Sequence, residues 1–289
     1  MSEKKTDEVT GVDTTGHEWD GIRELDNPLP RWWLWTFLAC IVWAFGYMIF
    51  YPAVPMVSEA TPGVLGYSSR GAVHQEIRDA RAAQSEMIAK VESLPLAEIR
   101  QNADMLQFAI NGGRAAYSVN CSQCHGSGAA GSPGYPNLND DEWIWGGDLE
   151  AIATTLRHGI RHPGDDDTRY SEMPAFGRDG ILDREQVRAV ANRVLALAGQ
   201  PHDAELAAAG TELYADNCAA CHGDAGRGDR EQGAPNLADA IWLYGSTEAE
   251  IARQIHAPRH GVMPAWGSKL DPVTIKQLTI YVHSLGGGE

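Results

Sequence analysis

The most hydrophobic stretch of the chain runs from Trp32 to Tyr51, twenty consecutive residues without Asp, Glu, Lys, Arg or His. As a helix it would be about 30 Å long, which matches the hydrocarbon core of a bilayer. A cleaved signal peptide has a shorter apolar region, roughly 7–15 residues, followed by a small-residue cleavage site. Residues 52–57 contain no clear site of that kind. The pattern predicts an uncleaved transmembrane helix at 32–51, in which Cys40 is a small apolar side chain.

The charges beside this segment predict its orientation. Arg23 and Arg31 precede it, whereas no Lys or Arg occurs from residue 32 to 69. Because basic residues favour the cytoplasmic side, we expect residues 1–31 to form a cytoplasmic segment and the rest of the chain to lie on the other side of the membrane. Aromatic residues near the ends of the segment are typical of anchors at the membrane surface: Trp32, Trp33, Trp35, Tyr47 and Tyr51.

The polar part of the chain carries helical signals. In the stretch 52–104, apolar residues from Val73 to Val91 are set among charges and predict a helix that stops near Pro95, within an arm or linker. Thr247 and Glu250 have the spacing of a capping box, and Asp271-Pro272 has the order of an N-cap and first helical residue. Apolar positions at helical spacing follow at Ile275, Leu278, Thr279 and Val282. No strand pattern is convincing, so the prediction is an all-α fold.

An internal repeat divides the rest of the chain. Four residues recur at an offset of 97: Gly113, Tyr117, Asn120 and Cys121 match Gly210, Tyr214, Asn217 and Cys218. Met173-Pro-Ala-Phe-Gly matches Met263-Pro-Ala-Trp-Gly at an offset of 90. The repeat predicts one domain at 105–199 and a second at 200–289, with a boundary at Gly199-Gln200-Pro201. The shorter second offset places extra residues in the first unit, in a surface loop around Gly159–Thr168.

Composition excludes several classes of protein. The chain has 39 acidic and 23 basic residues and a formal net charge of −16. Such a charge argues against nucleic-acid binding and favours the approach of a basic protein partner. A hydrophobic content of 43% excludes a disordered chain.

The other four cysteines form two identical motifs, each of the type C-x-x-C-H. They are Cys121, Cys124 and His125 in the first unit, and Cys218, Cys221 and His222 in the second. This motif is typical of covalent haem c attachment, with two thioethers to one porphyrin and the histidine as an axial ligand of the iron. A structural zinc site needs further ligands that the chain does not supply as cysteine. The sequence predicts two covalently bound haem c groups.

The second axial ligand of each iron is predicted to be a methionine. Met173 and Met263 occupy matching places in the repeat, and His/Met ligation favours ferrous iron. Spacing makes own-unit pairing the default, His125 with Met173 and His222 with Met263, but two adjacent units can also exchange these loops. Both pairings remain open at the level of sequence.

Other polar residues near the methionines have competing interpretations. Four histidines are rival sixth ligands, or partners of haem propionates or of water: His158, His162, His256 and His260. Four arginines are candidate propionate partners: Arg157, Arg161, Arg253 and Arg259. Asp165–Asp167 is read as an exposed acidic loop that steers a basic donor, with calcium binding as a weaker alternative, and Arg227-Gly-Asp229 as a turn.

The segment from Gly16 to Trp33, with the sequence GHEWDGIRELDNPLPRWW, leads directly into the apolar stretch. It resembles the amino-terminal signature of the dihaem subunit of cbb3-type cytochrome c oxidases, the CcoP or FixP family. The predicted haem residues also fall on that family's haem positions, so the resemblance covers nearly the whole chain. It implies one transmembrane helix followed by two tandem class I cytochrome c-like domains.

The resemblance also implies a function. A subunit of this kind accepts electrons from a donor cytochrome c and relays them to a monohaem subunit, which feeds the haem-copper subunit where dioxygen is reduced. The chain itself is not expected to catalyse that reduction, because it lacks further spans and intramembrane histidines. It would be anchored in bacterial inner-membrane lipid, with its haem domains in the periplasm. Two alternatives remain: a free-standing tethered dihaem carrier and a dihaem peroxidase with one accessible iron.

Overall fold

A computed structural model describes residues 5–289 of the chain, and these residues form two compact units, the first ending at Ala83 and the second running from Gln84 to Glu289. Residues 1–4 of the predicted cytoplasmic segment lie outside the described residues. The described part contains two strands and twelve helices: β1 (Thr14–Trp19), β2 (Ile22–Leu25), α1 (Arg31–Phe50), α2 (Ser69–Ala83), α3 (Ser85–Ser93), α4 (Leu96–Gln101), α5 (Ala103–Asn120), α6 (Ser122–His125), α7 (Leu149–His158), α8 (Arg184–Leu197), α9 (Ala204–Asn217), α10 (Ala219–His222), α11 (Glu248–His256) and α12 (Pro272–His283).

A β-hairpin precedes the apolar helix in the first unit. Strands β1 and β2 are antiparallel, and Trp19 pairs with Ile22 across the turn. Asp20 and Gly21 both have positive φ, +50° and +85°, as a two-residue hairpin turn requires. The expectation that the chain contains no strand is therefore wrong at this point, although the protein is mostly helical as predicted.

Helix α1 confirms the predicted apolar helix to within one residue at each end. It spans Arg31–Phe50, begins directly after Pro30 and ends where Tyr51 becomes extended. None of its twenty residues, all within the described part of the chain, is buried. By length and composition it suits a bilayer, and among the described residues it is the one helix that does. A helix that is apolar on all sides and unburied needs a lipid environment, so we assign α1 as the membrane anchor.

The single helix predicted between residues 73 and 95 is two helices, α2 and α3, which belong to different compact units. Helix α3 ends at Ser93, close to the predicted stop at Pro95. Val91 and Ile99 are fully buried and pack with residues of α5 and α12. Residues 84–104 therefore contribute to the core of the second unit.

Helix packing in the second unit crosses the two repeats. Helix α5, which leads into the first C-x-x-C-H motif, packs along α12, the last helix of the second repeat. Helix α9, which leads into the second motif, packs along α8, the last helix of the first repeat. Gly113 and Gly210, matched in the repeat, lie at these crossings: a Cβ would overlap the carbonyl of Gln277 at the first and of Ala189 at the second. The helix that leads into each C-x-x-C-H motif therefore packs against the terminal helix of the other repeat.

Two buried clusters result from this exchange. One combines α8, α9 and α11 around Val190 and Tyr214, and the other combines α5, α7 and α12 around Tyr117 and Leu278. Because the helices are exchanged, residues 84–289 form one compact unit. The boundary at 199/200 falls in the turn between α8 and α9, and the division into two domains there remains a prediction from the repeat.

Local helix signals in the sequence are confirmed. Thr247 and Glu250 form the capping box of α11, and Asp271 caps α12 with Pro272 as its first residue. Lys276 of α12 donates to the carbonyl oxygens at the end of α3, those of Val91, Glu92 and Leu94, at 3.1, 2.7 and 2.7 Å. A cation at a helix C-terminus is favourable for the carbonyls that lack intrahelical partners.

Candidate haem-binding sites

The first C-x-x-C-H motif forms a single helical turn at the end of α5. Cys121 is the N-cap of α6, and its carbonyl accepts from the backbone N–H groups of Cys124 and His125 at 3.1 and 3.0 Å. The Cys121 side chain is buried, whereas that of Cys124 is exposed. Burial raises the pKa of the Cys121 thiol to about 11.

His125 is held in one tautomer by the loop that follows. Its Nδ1 lies 3.0 Å from the carbonyl oxygen of Pro136. A carbonyl only accepts, so Nδ1 donates and Nε2 carries the free lone pair. Burial lowers the pKa of this imidazole, which favours the neutral, metal-binding form.

The second motif repeats this geometry. Cys218 is buried and Cys221 exposed, and burial raises the pKa of Cys218 to about 11. The Nδ1 of His222 donates to the carbonyl of Pro235 at 3.0 Å, and burial lowers the pKa of His222. Two thiols and a neutral imidazole with Nε2 free, twice over, are the donor set that haem c attachment requires, so these residues fit the group.

A tyrosine braces each motif from the preceding helix. The hydroxyl of Tyr117 donates to the carbonyl of Gly126, and that of Tyr214 to the carbonyl of Gly223, both at 2.8 Å. Both rings are almost fully buried, and burial raises the pKa of each tyrosine to about 12. These matched bonds fix the turn after each histidine.

Met263 lies with the first motif. Its side chain packs against the buried cluster that contains Cys121, Leu156 and Leu278. Its backbone exchanges two hydrogen bonds with Ile160 of the first repeat, both 3.0 Å long. The following residues continue this contact, since Trp266 N–H donates to the carbonyl of Leu156 at 2.9 Å.

Met173 lies with the second motif. It packs against the cluster that contains Cys218, Phe176 and Ile255. Its backbone N–H donates to Nε2 of His260 at 3.2 Å. The structure thus brings each methionine to the motif of the other repeat, which is the exchanged arrangement and differs from the own-unit default.

The rival histidines have other neighbours. Nδ1 of His158 lies 3.1 Å from a carboxylate oxygen of Asp165, and Nε2 of His260 accepts from Met173. His256 lies against Gly177 in the loop after Met173. His162 lies in the loop of the first unit, with its backbone N–H on Thr168. Among the described residues, Met173 and Met263 pack against the clusters that contain Cys218 and Cys121, whereas none of these four histidines belongs to either cluster.

The arginines and the acidic loop also have partners within the chain. Arg161 donates to two backbone carbonyls, Arg259 lies 4.6 Å over the ring of Tyr244, and Arg253 donates to Ala249 of its own helix. Propionate binding by these side chains and by Arg157 stays a prediction. Ligand atoms of His158, Asp165 and Asp167 lie within 4.8 Å of one another, but Asp165 is already hydrogen-bonded to His158 and to the Asp167 backbone. The turn predicted at Arg227–Asp229 lies slightly later in the chain, at residues 230–233, where the backbones of Asp229 and Ala234 close it by exchanging two hydrogen bonds of 2.9 Å.

Two positioning elements were not expected from the sequence. Ile160, interpreted only as part of a surface loop, and Arg161, interpreted as a candidate propionate partner, contact the loop of Met263, and a Cβ on Gly159 would overlap the carbonyl of Met263. The signal available was the extra length of this loop in the first repeat alone. An insertion in one of two otherwise matched units indicates a task that the other unit does not perform.

Comparisons with known proteins show the family to which the chain belongs. The family model of the N-terminal domain of cytochrome oxidase-cbb3, FixP, matches residues 11–58. The model of cytochrome c oxidase, cbb3-type, subunit III, matches residues 108–192 and 205–282.

Curated relatives are similar over the full length. The cbb3-type cytochrome c oxidase subunit FixPc of Rhizobium leguminosarum bv. viciae is 57% identical, the FixP subunit of Rhizobium etli 53%, and the CcoP subunit of Cereibacter sphaeroides 52%, each over 100% of both chains. Family matches cover both the anchor segment and both haem motifs. The chain therefore belongs to the FixP/CcoP family, the haem c-binding electron-transfer subunit III of cbb3-type cytochrome c oxidases.

Proposed function

We propose that the chain binds two haem c groups, one at each C-x-x-C-H turn. Cys121 and Cys124 would hold the first by thioethers, and Cys218 and Cys221 the second. His125 and His222 would be the proximal ligands, because each has Nδ1 occupied by a carbonyl and Nε2 free. The observation that carries the proposal is that, in both sites, the histidine Nδ1 lies 3.0 Å from a backbone carbonyl oxygen.

We infer that the sixth ligands are exchanged between repeats. Met263 would complete the site of His125, and Met173 the site of His222. Support comes from packing, since Met263 contacts the cluster of Cys121 and Met173 the cluster of Cys218. The helix pairs α5 with α12 and α8 with α9 carry the same exchange at the level of the backbone.

Bound haem c supplies reversible one-electron chemistry. The chain's own residues hold the histidine tautomer, shield one thiol of each pair and carry a methionine to both sites. A haem held by a histidine and a methionine would leave no position at iron for an external ligand, which would favour electron transfer over ligand chemistry. This geometry disfavours a peroxidase, which needs one iron with an accessible position.

The direction of the relay follows from the family. We propose that a donor cytochrome c reduces this chain, which passes electrons to the monohaem subunit and then to the haem-copper subunit that reduces dioxygen. The net charge of −16 favours a donor with a basic surface. A free-standing carrier, the remaining alternative, has no support from the full-length relatives, each named as an oxidase subunit.

The proposed topology has residues 1–31 in the cytoplasm and the haem-bearing unit in the periplasm of a bacterial inner membrane. It is supported by Arg23 and Arg31 on the amino-terminal side of α1, with no Lys or Arg from residue 32 to 69. Haem c attachment outside the cytoplasm agrees with it, because both motifs follow α1.

Purification from membranes in mild detergent, through a tag on the carboxy terminus, tests this function. The proposal predicts two covalent haem c groups per chain, together with haem b and copper in a large copurifying subunit. Fewer covalent haems would contradict the site assignment. Covalent haem without haem b and copper, under conditions that keep other membrane complexes intact, would support the free-standing carrier instead.

A further inference from the structure

Arg161 lies at the base of the loop that carries the extra residues of the first repeat. Its backbone is left-handed, with φ of +52°, and its N–H donates to the carbonyl of Arg169 at 2.8 Å. The residue before it, Ile160, forms the two-bond bridge with Met263. Backbone bonds on both residues therefore fix the point from which the Arg161 side chain extends.

The guanidinium of Arg161 contacts both methionine loops. Its Nε donates to the carbonyl of Gly261 at 2.7 Å, and one terminal nitrogen donates to the carbonyl of Ser171 at 2.8 Å. Gly261 lies two residues before Met263, and Ser171 lies two residues before Met173. Because the guanidinium is a rigid planar fork, these two bonds fix the separation of the loops.

The two loops also contact each other directly. Met173 N–H donates to Nε2 of His260, which lies three residues before Met263. The Arg161 side chain is partly buried, where hydrogen bonds from a charged donor are stronger than in water. Two of its three nitrogens donate to the methionine loops, so the side chain connects these loops to each other. Only its third nitrogen is left for a haem propionate.

We propose that Arg161 is a positioning residue that holds both methionines at once, so that the stability of the sixth ligand at one haem site depends on the same side chain as at the other. The inference rests on the proposed assignment of Met173 and Met263 as sixth ligands. Release of the guanidinium loosens both loops, and each methionine then yields its position more readily to an external ligand.

Arg161→Asn removes the guanidinium with little backbone strain, because Asn tolerates the left-handed region. Arg178→Asn is the matched control: Arg178 lies five residues after Met173, but within the described residues its exposed side chain pairs only with the neighbouring Asp179. Imidazole binding to the oxidised, haem-loaded chain is measured in two backgrounds, Met173→Ala and Met263→Ala. Each background leaves one methionine site to be observed. Covalent haem content and thermal unfolding are recorded for every variant.

We expect Arg161→Asn to bind imidazole at least about tenfold more tightly than its parent in both backgrounds, with Arg178→Asn unchanged. An unchanged affinity in either background would overturn the joint role. If the Asn variant loses haem, Arg161→Lys provides the test, because it keeps the charge without the planar fork. Tighter imidazole binding than that of the parent in at least one background supports the role of the fork. The parent's affinity in both backgrounds refutes it.

Failure of the underlying assignment has a different signature. If Met173→Ala and Met263→Ala each leave the charge-transfer absorption of methionine-ligated ferric haem intact, the ligand assignment is wrong. If Met173→Ala and Met263→Ala each lose that absorption at one haem, while Arg161→Asn binds imidazole no more tightly than the control Arg178→Asn, only the role of Arg161 is wrong.

Discussion

The backbones of Ile160 and Met263 exchange two hydrogen bonds, each 3.0 Å long, although the two residues belong to different repeats of the chain. This pair places the second methionine loop against the first C-x-x-C-H motif. The exchanged helix pairs α5 with α12 and α8 with α9 enforce the same arrangement. The two predicted sites are therefore built jointly, and damage to one repeat is expected to reach the haem of the other.

Gly113→Ala is expected to destabilise the second compact unit by about 1–3 kcal/mol, because its Cβ would overlap the backbone of α12 at Gln277. Gly112→Ala is the matched control on the same helix. The atoms nearest to a Cβ there belong to the flexible amide end of the Gln277 side chain, and alanine is the better helix former. Thermal unfolding of the haem-loaded, detergent-solubilised chain measures both. Equal melting temperatures for the two variants would show that the helices do not cross as described.

Gly210→Ala tests the second crossing. Its Cβ would overlap the carbonyl of Ala189 in α8, so a destabilisation of similar size, about 1–3 kcal/mol, is expected. The exchange adds a site-specific consequence. Residues of α8 and α9 form one buried cluster with Cys218, and Met173 packs against this cluster. We therefore expect Gly210→Ala to weaken methionine ligation at the haem of His222 more than at that of His125. The reverse preference would speak against the exchange.

Lys276→Met is expected to cost about 1–3 kcal/mol of unfolding free energy, because three carbonyls at the end of α3 lose their cationic donor. Lys90→Met provides the comparison. Lys90 forms an exposed ion pair with Glu86, and such pairs contribute only about 0–1 kcal/mol. Thermal unfolding monitored by circular dichroism separates the two. A Lys276 variant as stable as the Lys90 variant would mean that α3 is not held by α12.

Tyr117→Phe and Tyr214→Phe each remove a hydroxyl bond to the turn of a haem motif and are expected to lower stability by about 0.5–1.5 kcal/mol. Their pKa values, raised by burial to about 12, add a pH dependence. A raised pKa means that the folded state retains the proton, so this contribution is present below pH 10 and is lost as pH rises towards 12.

The alkaline loss of stability should therefore be smaller in the double Phe variant than in the wild type. Tyr135→Phe, at an exposed ring, serves as the control and should leave the profile unchanged. Guanidinium unfolding at a series of pH values from 8 to 12 provides the comparison. Identical alkaline slopes in the wild type and the double variant would refute the explanation.

Local features of this protein were predictable because their causes are local. The capping residues Thr247 and Asp271, and the buried positions Ile275 and Leu278, follow from side-chain chemistry and helical spacing, and all are found as expected. The Asp20-Gly21 turn has a local signature as well, since this dipeptide favours a hairpin, but few apolar residues alternate around it, so the pattern does not predict its strands.

The pairing of methionines with motifs was not predictable, because both arrangements use the same local sequence. Gly113 and Gly210 indicate that a helix crosses at each point, but not which helix. Judged from the sequence alone, either α8 or α12 could cover the apolar face of α5 or of α9. Only tertiary contacts, such as that of Ile160 with Met263, distinguish the two topologies.

The central claim is that Met263 completes the site of His125 and Met173 that of His222. An experimental structure of the haem-loaded protein, with each methionine sulphur traced to its iron, tests it most directly. The account predicts that Met263 Sδ lies at bonding distance from the iron held by His125. Met173 Sδ bound to that iron would contradict the exchange.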